Sequence, residues 1–368
     1  MLNMKILYKR LSEIHDDGRI DGVPDLCLDQ WYVKALKENP FRESKDVVCI
    51  KIGVIDGKVA GREYVFPILI CCDGKVITAG SGSYTTVEKW ARKTGLGIEL
   101  SSMHEDCSDG DFLIGDCAGL SQMAVKVRRY FDQPIFEYPR YIGVLKSRSI
   151  IETKLKGFLA SIATLTCDMI LATTRWCLVA IAKVMSSQFQ VEDVCPERED
   201  QLKDMERVVK LEKYRFSEVH DCRWFKWVLT NSFSMHGPCS AYILRRNGEA
   251  IGFFMVKKRF HEQASHRGFK NVRLGSVIEW GVLPEFRKIL LRKIYIWYYN
   301  VRRELDAVEF PAYENWIRGF LKLHGWQKVG NANFCYAIRP RCGFIAPKGM
   351  DDADNWRLRL GMGDCALN

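Results

Sequence analysis

The sequence predicts an α+β protein of two tandem domains, each a mixed, mainly antiparallel sheet flanked by helices, with a helical linker between them. Three observations lead to this prediction. The 368 residues are too many for one typical core. Strand and helix patterns alternate in an order that recurs after residue 188. A helical apolar stretch separates the two halves. The predicted ranges are 1–150, 151–188 and 189–368.

The first half opens with a helical pattern around Trp31 and Leu36. The turn dipeptides Asp56-Gly57 and Asp73-Gly74 then separate three consecutive strand patterns, which predicts an antiparallel meander. A helix, a short strand, a second helix and a further strand follow. In chain order, the three meander strands and these four elements are predicted at 47–55, 61–72, 75–79, 95–103, 111–115, 120–130 and 135–144.

Residues 153–188 carry apolar side chains at helical spacing on more than one face. Asp168 and Arg175 interrupt this run, so its uncharged stretches are shorter than the roughly 20 residues that a membrane-spanning helix needs. The sequence therefore predicts no transmembrane segment. One interpretation is a buried helix or helical hairpin between the domains. The other is weak contact with a membrane surface through 153–185, because basic residues flank the segment.

The second half repeats the order of the first at the level of spacing only. Helical patterns come first, then a hairpin around Asn247-Gly248, and then strands that alternate with helices. The tail around Trp356 alternates like a final edge strand. The helices are predicted at 197–211, 224–229, 286–301 and 316–323, and the strands at 241–245, 251–256, 277–282, 307–310 and 334–338.

Composition and charge indicate which kinds of ligand and which compartment are expected. The formal charge of +10 favours anionic partners, but the basic residues are scattered and do not form the stripe that is typical of nucleic-acid binders. The 14 cysteines include no C-x-x-C pair and no spacing of zinc ligands, so no metal is expected. Free thiols and the lack of a secretory signal indicate a cytoplasmic protein.

The segment from Val87 to Gly97 is the most informative motif. Its glycines allow close approach of a ligand to the backbone, and the first amides of the following helix lack partners within the helix. Basic side chains add charge-assisted contacts, so the segment predicts a site for a pyrophosphate. The residues assigned to this site are Val87, Arg92, Lys93, Thr94, Gly95, Leu96 and Gly97.

This segment resembles the acetyl-CoA signature of the GNAT acyltransferase superfamily, V-x-P-x-x-[RQ]-x-x-G-x-[GA]. Val87, Arg92, Gly95 and Gly97 match in register, and Lys89 replaces the proline. The resemblance implies acetyl-CoA or another acyl-CoA as cofactor. It also implies that pantetheine lies where the strand before the loop splays away from the strand at 111–116, and that Val87 borders it.

The second half is similar to the same signature in a degenerate form. Val282, Pro284 and Arg287 match, but Leu290 and Arg292 stand at the two glycine positions. We expect their side chains to fill the space that a pyrophosphate needs. The whole chain looks most like the bacterial tandem-GNAT proteins, a group that includes the aminoacyl transferases of the FemABX type.

Acyl transfer from a thioester to an amine needs a base for the amine and a proton for the departing thiolate. The candidates are Glu279, His104 and Tyr130. Glu279 lies in a strand where members of the superfamily often place a catalytic carboxylate. The resemblance implies a tyrosine in the last helix as acid, but Arg128 holds that position and Tyr130 comes two residues later.

The leading hypothesis is an N-acetyltransferase or related acyltransferase whose acceptor is a small amine, such as an amino sugar or an amino acid. Two alternatives remain open. The missing tyrosine and the lost glycines favour a non-catalytic acyl-CoA-binding or scaffold protein. Tandem domains and positive charge are also compatible with a FemABX-like transferase that depends on tRNA.

Overall fold

The structure, a computed structural model, describes residues 3–42, 48–101, 112–116, 135–151, 155–230, 237–264, 269–338 and 347–359. Its strands are β1 (Met4–Arg10), β2 (Val48–Ile55), β3 (Lys58–Cys72), β4 (Lys75–Val87), β5 (Phe112–Asp116), β6 (Ile135–Val144), β7 (Gln190–Asp193), β8 (Phe216–Glu218), β9 (Ser240–Arg246), β10 (Glu249–Ala264), β11 (Phe269–Val282), β12 (Ala307–Pro311) and β13 (Gln327–Ile338). Its helices are α1 (Gln30–Lys37), α2 (Leu96–Ser101), α3 (Arg148–Ile151), α4 (Gly157–Met185), α5 (Glu199–Leu211), α6 (Cys222–Thr230), α7 (Arg287–Asn300) and α8 (Asn315–Leu323).

The predicted α+β class is confirmed, and the described residues form two units. Unit 1 contains those within 1–137, 214–235 and 332–368, and unit 2 contains those within 138–213 and 236–331. These ranges differ from the predicted division, because β8 and α6 belong to unit 1 although they follow residue 189. Long-range strand pairing decides this membership, since β8 pairs with β3. A local sequence pattern carries no information about such a pairing.

Tight turns join neighbouring strands in the sheet of unit 1. Asp56 and Gly57 both have positive φ, at 49° and 81°, which is the turn geometry that matches the twist of two antiparallel strands. Strands β1 to β4 are neighbours in order and antiparallel, and β5 adds to β4 in parallel. Residues 334–338 of β13 pair with the other edge of β5.

Two predictions for unit 1 need correction. The strand expected at 75–79 continues to Val87, because the Gly-Ser-rich stretch after residue 79 pairs with β3 instead of forming a loop. The tail forms a single bridge between Trp356 and Phe216, not an edge strand. The predicted helix at 120–130 lies outside the described residues.

The sheet of unit 2 has the order β6–β12–β11–β10–β9–β7. Strands β11 and β12 are parallel, and their neighbours are antiparallel. Helices α7 and α8 cover one face and bury a large aromatic core that includes Trp280, Tyr295, Trp297 and Trp326. In unit 2 a long strand, a helix and a parallel partner strand thus follow each other along the chain, as β4, α2 and β5 do in unit 1.

Helix α4 overturns the interpretation of 153–188 as a buried helix or hairpin. It is a single helix of 29 residues, and only 11% of its most apolar 18-residue window is buried. By length and composition it is the one helix in the described ranges that could cross a membrane. The sequence could not show which face is covered, because apolar residues occur on every face of the helix.

A buried ion pair ties the sheet of unit 1 to α2. Lys51 Nζ of β2 lies 2.5 Å from Glu63 Oε2 of β3 and donates to the Leu100 carbonyl of α2 at 2.7 Å. The Thr85 hydroxyl donates to Glu63 Oε1 at 3.0 Å. Both charged side chains are almost wholly buried. Lys51 therefore links two strands to the last turn of the helix.

We expect Lys51→Met to lower the free energy of unfolding by about 3–5 kcal/mol, because it leaves the Glu63 carboxylate buried without its cation. Urea denaturation of the full chain measures this change. The double variant Lys51→Met/Glu63→Gln should recover much of the loss, since the glutamine is neutral and still accepts from Thr85. Lys58→Met, on the exposed end of β3, is the control and should change stability by less than about 0.5 kcal/mol. An equally small effect of Lys51→Met would contradict the role of the pair.

Candidate functional site

The predicted phosphate loop lies at the end of β4. After Val87 the chain makes a 3-10 turn at Lys89–Ala91 and a further turn before α2 begins at Leu96. Gly95 has φ = +88°, a backbone conformation that glycine adopts without strain. This residue reverses the chain so that the following amides face outward.

The backbone of this loop is open. Within the described residues, the amides of Gly95 and Gly97 have no hydrogen-bond acceptor, and the Leu96 amide has only the Thr94 hydroxyl at 3.3 Å. Among the described atoms, a Cβ built on Gly95 would meet none within 4 Å, and one on Gly97 would meet only Val87 Cγ2, at 3.5 Å. No described side chain therefore plugs the loop, and within this part of the chain its amides are available to an anion.

The basic side chains of the loop frame these amides. Arg92 and Lys93 are exposed. Arg92 Nε donates to the Val87 carbonyl at 3.2 Å, which holds the guanidinium across the loop while its two other nitrogens have no partner in the described part of the chain. Thr94 Oγ1 donates to Ala91 O at 2.7 Å and stabilises the turn. Open amides and two exposed basic side chains thus occur together in this loop.

Close packing of Leu96 sets the position of the loop. Its side chain is fully buried, in a cluster with Ile55, Ala60 and Leu100. It lies directly over Gly53 of β2, where an added Cβ would come within 2.5 Å of Leu96 Cδ1. A side chain at residue 53 would lift the start of α2 away from the sheet.

Strand β4 extends beyond its described pairing with β5. The parallel pairing runs as far as Gly82 opposite Gly115, whereas β4 continues to Val87. The pairing of β4 with β3 shifts between Arg62 and Tyr64, so that Tyr84 bulges with φ = +50°. Bulges are common next to functional sites because they redirect side chains. The opening between β4 and the strand at 111–116 stays a prediction, because the described residues of β5 end at Asp116.

Sequence reasoning missed one buried polar group on β4. Ser81 lies on the last paired stretch of β4, and its hydroxyl is buried without a hydrogen-bond partner in the described part of the chain. A buried hydroxyl without a partner costs free energy, so it is suited to bond an incoming ligand. Ser81 lies inside the Gly-Ser stretch, whose composition predicts a loop. The sequence therefore did not indicate a buried strand residue at this position.

An aromatic group on the same strand was also missed. The bulge places the ring of Tyr84 at 5.4 Å from Trp31 and 6.3 Å from Tyr64. Tyr64 donates to Asp29 Oδ2 at 2.8 Å. Burial, together with this bond to a carboxylate, raises the pKa of Tyr64 well above its usual range. The sequence did not indicate this aromatic group, because its rings come from three separate elements, β3, β4 and α1.

The corresponding loop of unit 2 is closed. Its 3-10 turn, Pro284–Phe286, leads directly into α7, so Leu290 and Arg292 lie within the helix. Their amides are therefore positioned to bond to the preceding turn and are not presented to a ligand. The Leu290 side chain points into the core and is fully buried, whereas the sequence predicted that it would fill the phosphate space. The site is lost chiefly because the helix begins earlier.

A buried polar network occupies the place in unit 2 where the parallel strands part. The last pair of β11 and β12 is Ser276 opposite Glu309. Glu309 forms an ion pair with Arg140 and accepts from Ser276 Oγ at 2.7 Å. Arg259 Nη1 donates to the same hydroxyl oxygen at 2.7 Å. In unit 1 the last described pair of the parallel strands consists of Gly82 and Gly115, so no side chains of that pair occupy the corresponding place.

Of the three candidate catalytic residues, the structure describes one. Glu279 lies on β11 in unit 2 and is fully buried, and its Oε1 accepts from the Trp280 amide at 3.0 Å. His104 and Tyr130 lie outside the described residues, so their roles stay predictions. No group of three or more potential metal-ligating side chains is found in the described ranges.

No protein-family model and no curated protein sequence matches this chain significantly. Solved structures do match. Saccharomyces cerevisiae N-myristoyltransferase with bound myristoyl-CoA is similar at a TM-score of 0.55 and 11% identity, over 92% of this chain and 83% of that one. A probable N-acyltransferase of unknown function from Enterococcus faecalis V583 is similar at 0.51 and 10% identity, over 92% and 73%. This likeness confirms the GNAT-like fold.

Because Lys257 is buried beside the polar network of unit 2, the free energy of unfolding is expected to depend on pH. Burial, and to a smaller extent nearby Arg259, lowers the pKa of Lys257 to about 8 from the ordinary 10.5. The unfolded chain therefore binds more protons than the folded chain between these pH values, and stability rises with pH across this window. We expect the wild type to gain up to about 3 kcal/mol there relative to Lys257→Met.

Urea unfolding at a series of pH values measures that difference. Lys258→Met is the control, because Lys258 is half exposed and paired with Glu304. Its stability relative to the wild type should stay constant through the same window. Parallel curves for the wild type and Lys257→Met would contradict the lowered pKa.

Proposed function

We propose that this protein is an acyltransferase that takes its acyl group from acetyl-CoA or another acyl-CoA and passes it to a small amine. The open loop from Arg92 to Gly97 carries this proposal. Its unpaired amides and exposed cations suit the two phosphates of coenzyme A. Pantetheine would lie beside the part of β4 that continues past its described pairing with β5, from Ser83 to Val87.

The structural neighbours support this choice of cofactor. The yeast structure that shares the fold contains bound myristoyl-CoA, and the E. faecalis protein is described as a probable N-acyltransferase. In the reaction, the amine nitrogen would attack the thioester carbonyl, the new N–C bond would form, and the C–S bond would break to release the CoA thiol. The proton lost by the amine would pass to a base and finally to the thiolate.

Unit 1 alone would bind the cofactor. In unit 2 the helix takes up the amides that unit 1 leaves open, and the Arg140–Glu309 pair fills the parting of the strands. We therefore expect one acyl-CoA per chain. A stoichiometry of two in a calorimetric titration would contradict this assignment.

The loop is tested by a charge placed inside it. Gly97 has room for a side chain, so we expect Gly97→Glu to fold normally but to repel the phosphates. Acetyl-CoA at about 100 times its Kd should stabilise the wild type by about 2.7 kcal/mol, and the variant should lose this gain. Thermal denaturation with and without acetyl-CoA measures both. Gly319→Glu adds the same charge on the exposed face of α8 and serves as the control.

Gly95→Glu should lose the gain as well and should also be less stable without ligand, because a glutamate at φ = +88° is strained. Lack of stabilisation of the wild type by millimolar CoA would remove the acyl-CoA assignment. Tight, salt-sensitive binding of tRNA would then favour an aminoacyl transferase.

Catalysis is tested separately from binding. Release of free CoA thiol from acetyl-CoA in the presence of amino sugars and amino acids would support the transferase. Stabilisation by CoA without thiol release, across amines and acyl chain lengths, would indicate a binding or scaffold protein that retains the cofactor site.

A further inference from the structure

Helix α4 presents its large apolar side chains away from unit 2. Phe158, Leu159, Leu165, Met169, Trp176 and Val184 form this outward face, and each is between 62% and 79% exposed. Isolated exposed apolar residues are ordinary, but a contiguous surface of this length marks an interaction site.

The charges of the helix point the other way. Between Gly157 and Ala182 only Asp168 and Arg175 are charged. Asp168 Oδ1 accepts from the Ser147 amide at 2.7 Å, and Arg175 donates to the carbonyls of Val144 and Leu145. A helix that faces water has the opposite arrangement, with its charges outward and its apolar stripe on the protein.

Two hydroxyl groups on the exposed side of α4 are satisfied within the helix. Thr173 Oγ1 donates to the Met169 carbonyl at 3.0 Å, and Thr174 Oγ1 donates to the Ile170 carbonyl at 2.9 Å. Such bonds to the preceding turn satisfy a hydroxyl inside its own helix. These two threonines can therefore enter an apolar medium without leaving a donor unpaired.

Cations lie at both ends of this apolar face. Lys156 and Arg148 are exposed at the start of α4, and Lys183 is exposed near its end. The helix of 29 residues is about 43 Å long at about 1.5 Å per residue. An uncharged apolar face bordered by basic residues matches the interface of a bilayer that contains anionic lipids.

We propose that α4 docks unit 2 on an anionic lipid bilayer, with the helix in the plane of the membrane and its outward face among the acyl chains. The inward contacts of Asp168 and Arg175 hold the helix on unit 2 along its length, so docking needs no rearrangement of the unit. A protein partner fits less well, because protein interfaces have polar rims and direct hydrogen bonds that this face does not offer. The inference is independent of the proposed acyl transfer.

Native cysteines report the contact without any mutation. Cys167 and Cys177 are exposed on α4, and Cys27 and Cys195 are exposed elsewhere. The full chain is mixed with sealed vesicles of phosphatidylcholine and phosphatidylserine, treated with a maleimide, and digested for mass spectrometry. We expect the vesicles to protect Cys167 and Cys177 and to leave Cys27 and Cys195 reactive. Equal labelling of all four would overturn the proposal.

Flotation of the vesicles measures binding itself. The triple variant Phe158→Ser/Leu165→Ser/Trp176→Ser should lower the bound fraction at least about tenfold, because three large apolar side chains no longer enter the bilayer. The control variant Val76→Ser/Val191→Ser/Leu323→Ser removes three exposed apolar side chains elsewhere and should bind as the wild type does. Equal loss in both triples would show non-specific adhesion and overturn the proposal.

Two other arrangements of α4, a contact with a second copy of the chain and a membrane-spanning helix, would give different results. Should a second copy of the chain cover α4, the two cysteines would be protected without vesicles at high protein concentration, and light scattering would show dimers. Should the helix cross the bilayer, an impermeant amine reagent outside the vesicles would label only one of Lys156 and Lys183. Labelling of both lysines, with both cysteines protected by vesicles alone, supports docking in the membrane plane.

Discussion

The contact between α2 and the sheet of unit 1 determines the candidate site. Leu96 packs over Gly53, and Lys51 holds the carbonyl of Leu100 while it pairs with Glu63. These contacts fix both ends of a short helix that would be marginal by itself. The amides just before that helix are consequently held in place. Any chemistry at this loop therefore depends on the buried contacts between α2 and the sheet.

The two units show how a small change in backbone removes such a site. In unit 1 a glycine at residue 95 delays the start of the helix, and the loop amides stay open. In unit 2 the helix begins at Arg287, and its own hydrogen bonds take up the corresponding amides. The parting of β11 and β12 is also filled by the Arg140–Glu309 pair. Unit 1 thus carries an open glycine loop where unit 2 carries the start of a helix.

Helix α4 has the reverse of an ordinary amphipathic pattern, since its two interior charges bond to the unit and its large apolar side chains face outward. The free energy of this arrangement depends on the medium around it. In water, exposed apolar area is unfavourable, whereas in lipid it is favourable and the inward charges remain satisfied. The stability of unit 2 therefore depends on whether the outward face of α4 contacts water or lipid.

Residues close together in the sequence determined much of this protein. The Asp-Gly and Asn-Gly turns and the strand and helix periods predicted many of the elements that the structure contains, because each depends on neighbouring residues. The cofactor role of Val87, Arg92, Gly95 and Gly97 stays a prediction. The membership of β8 in unit 1, the Tyr84 bulge, the buried hydroxyl of Ser81 and the outward face of α4 could not be predicted. Each is decided by residues distant in sequence that pair or pack only in the fold, and the covered face of a helix is set by its neighbours.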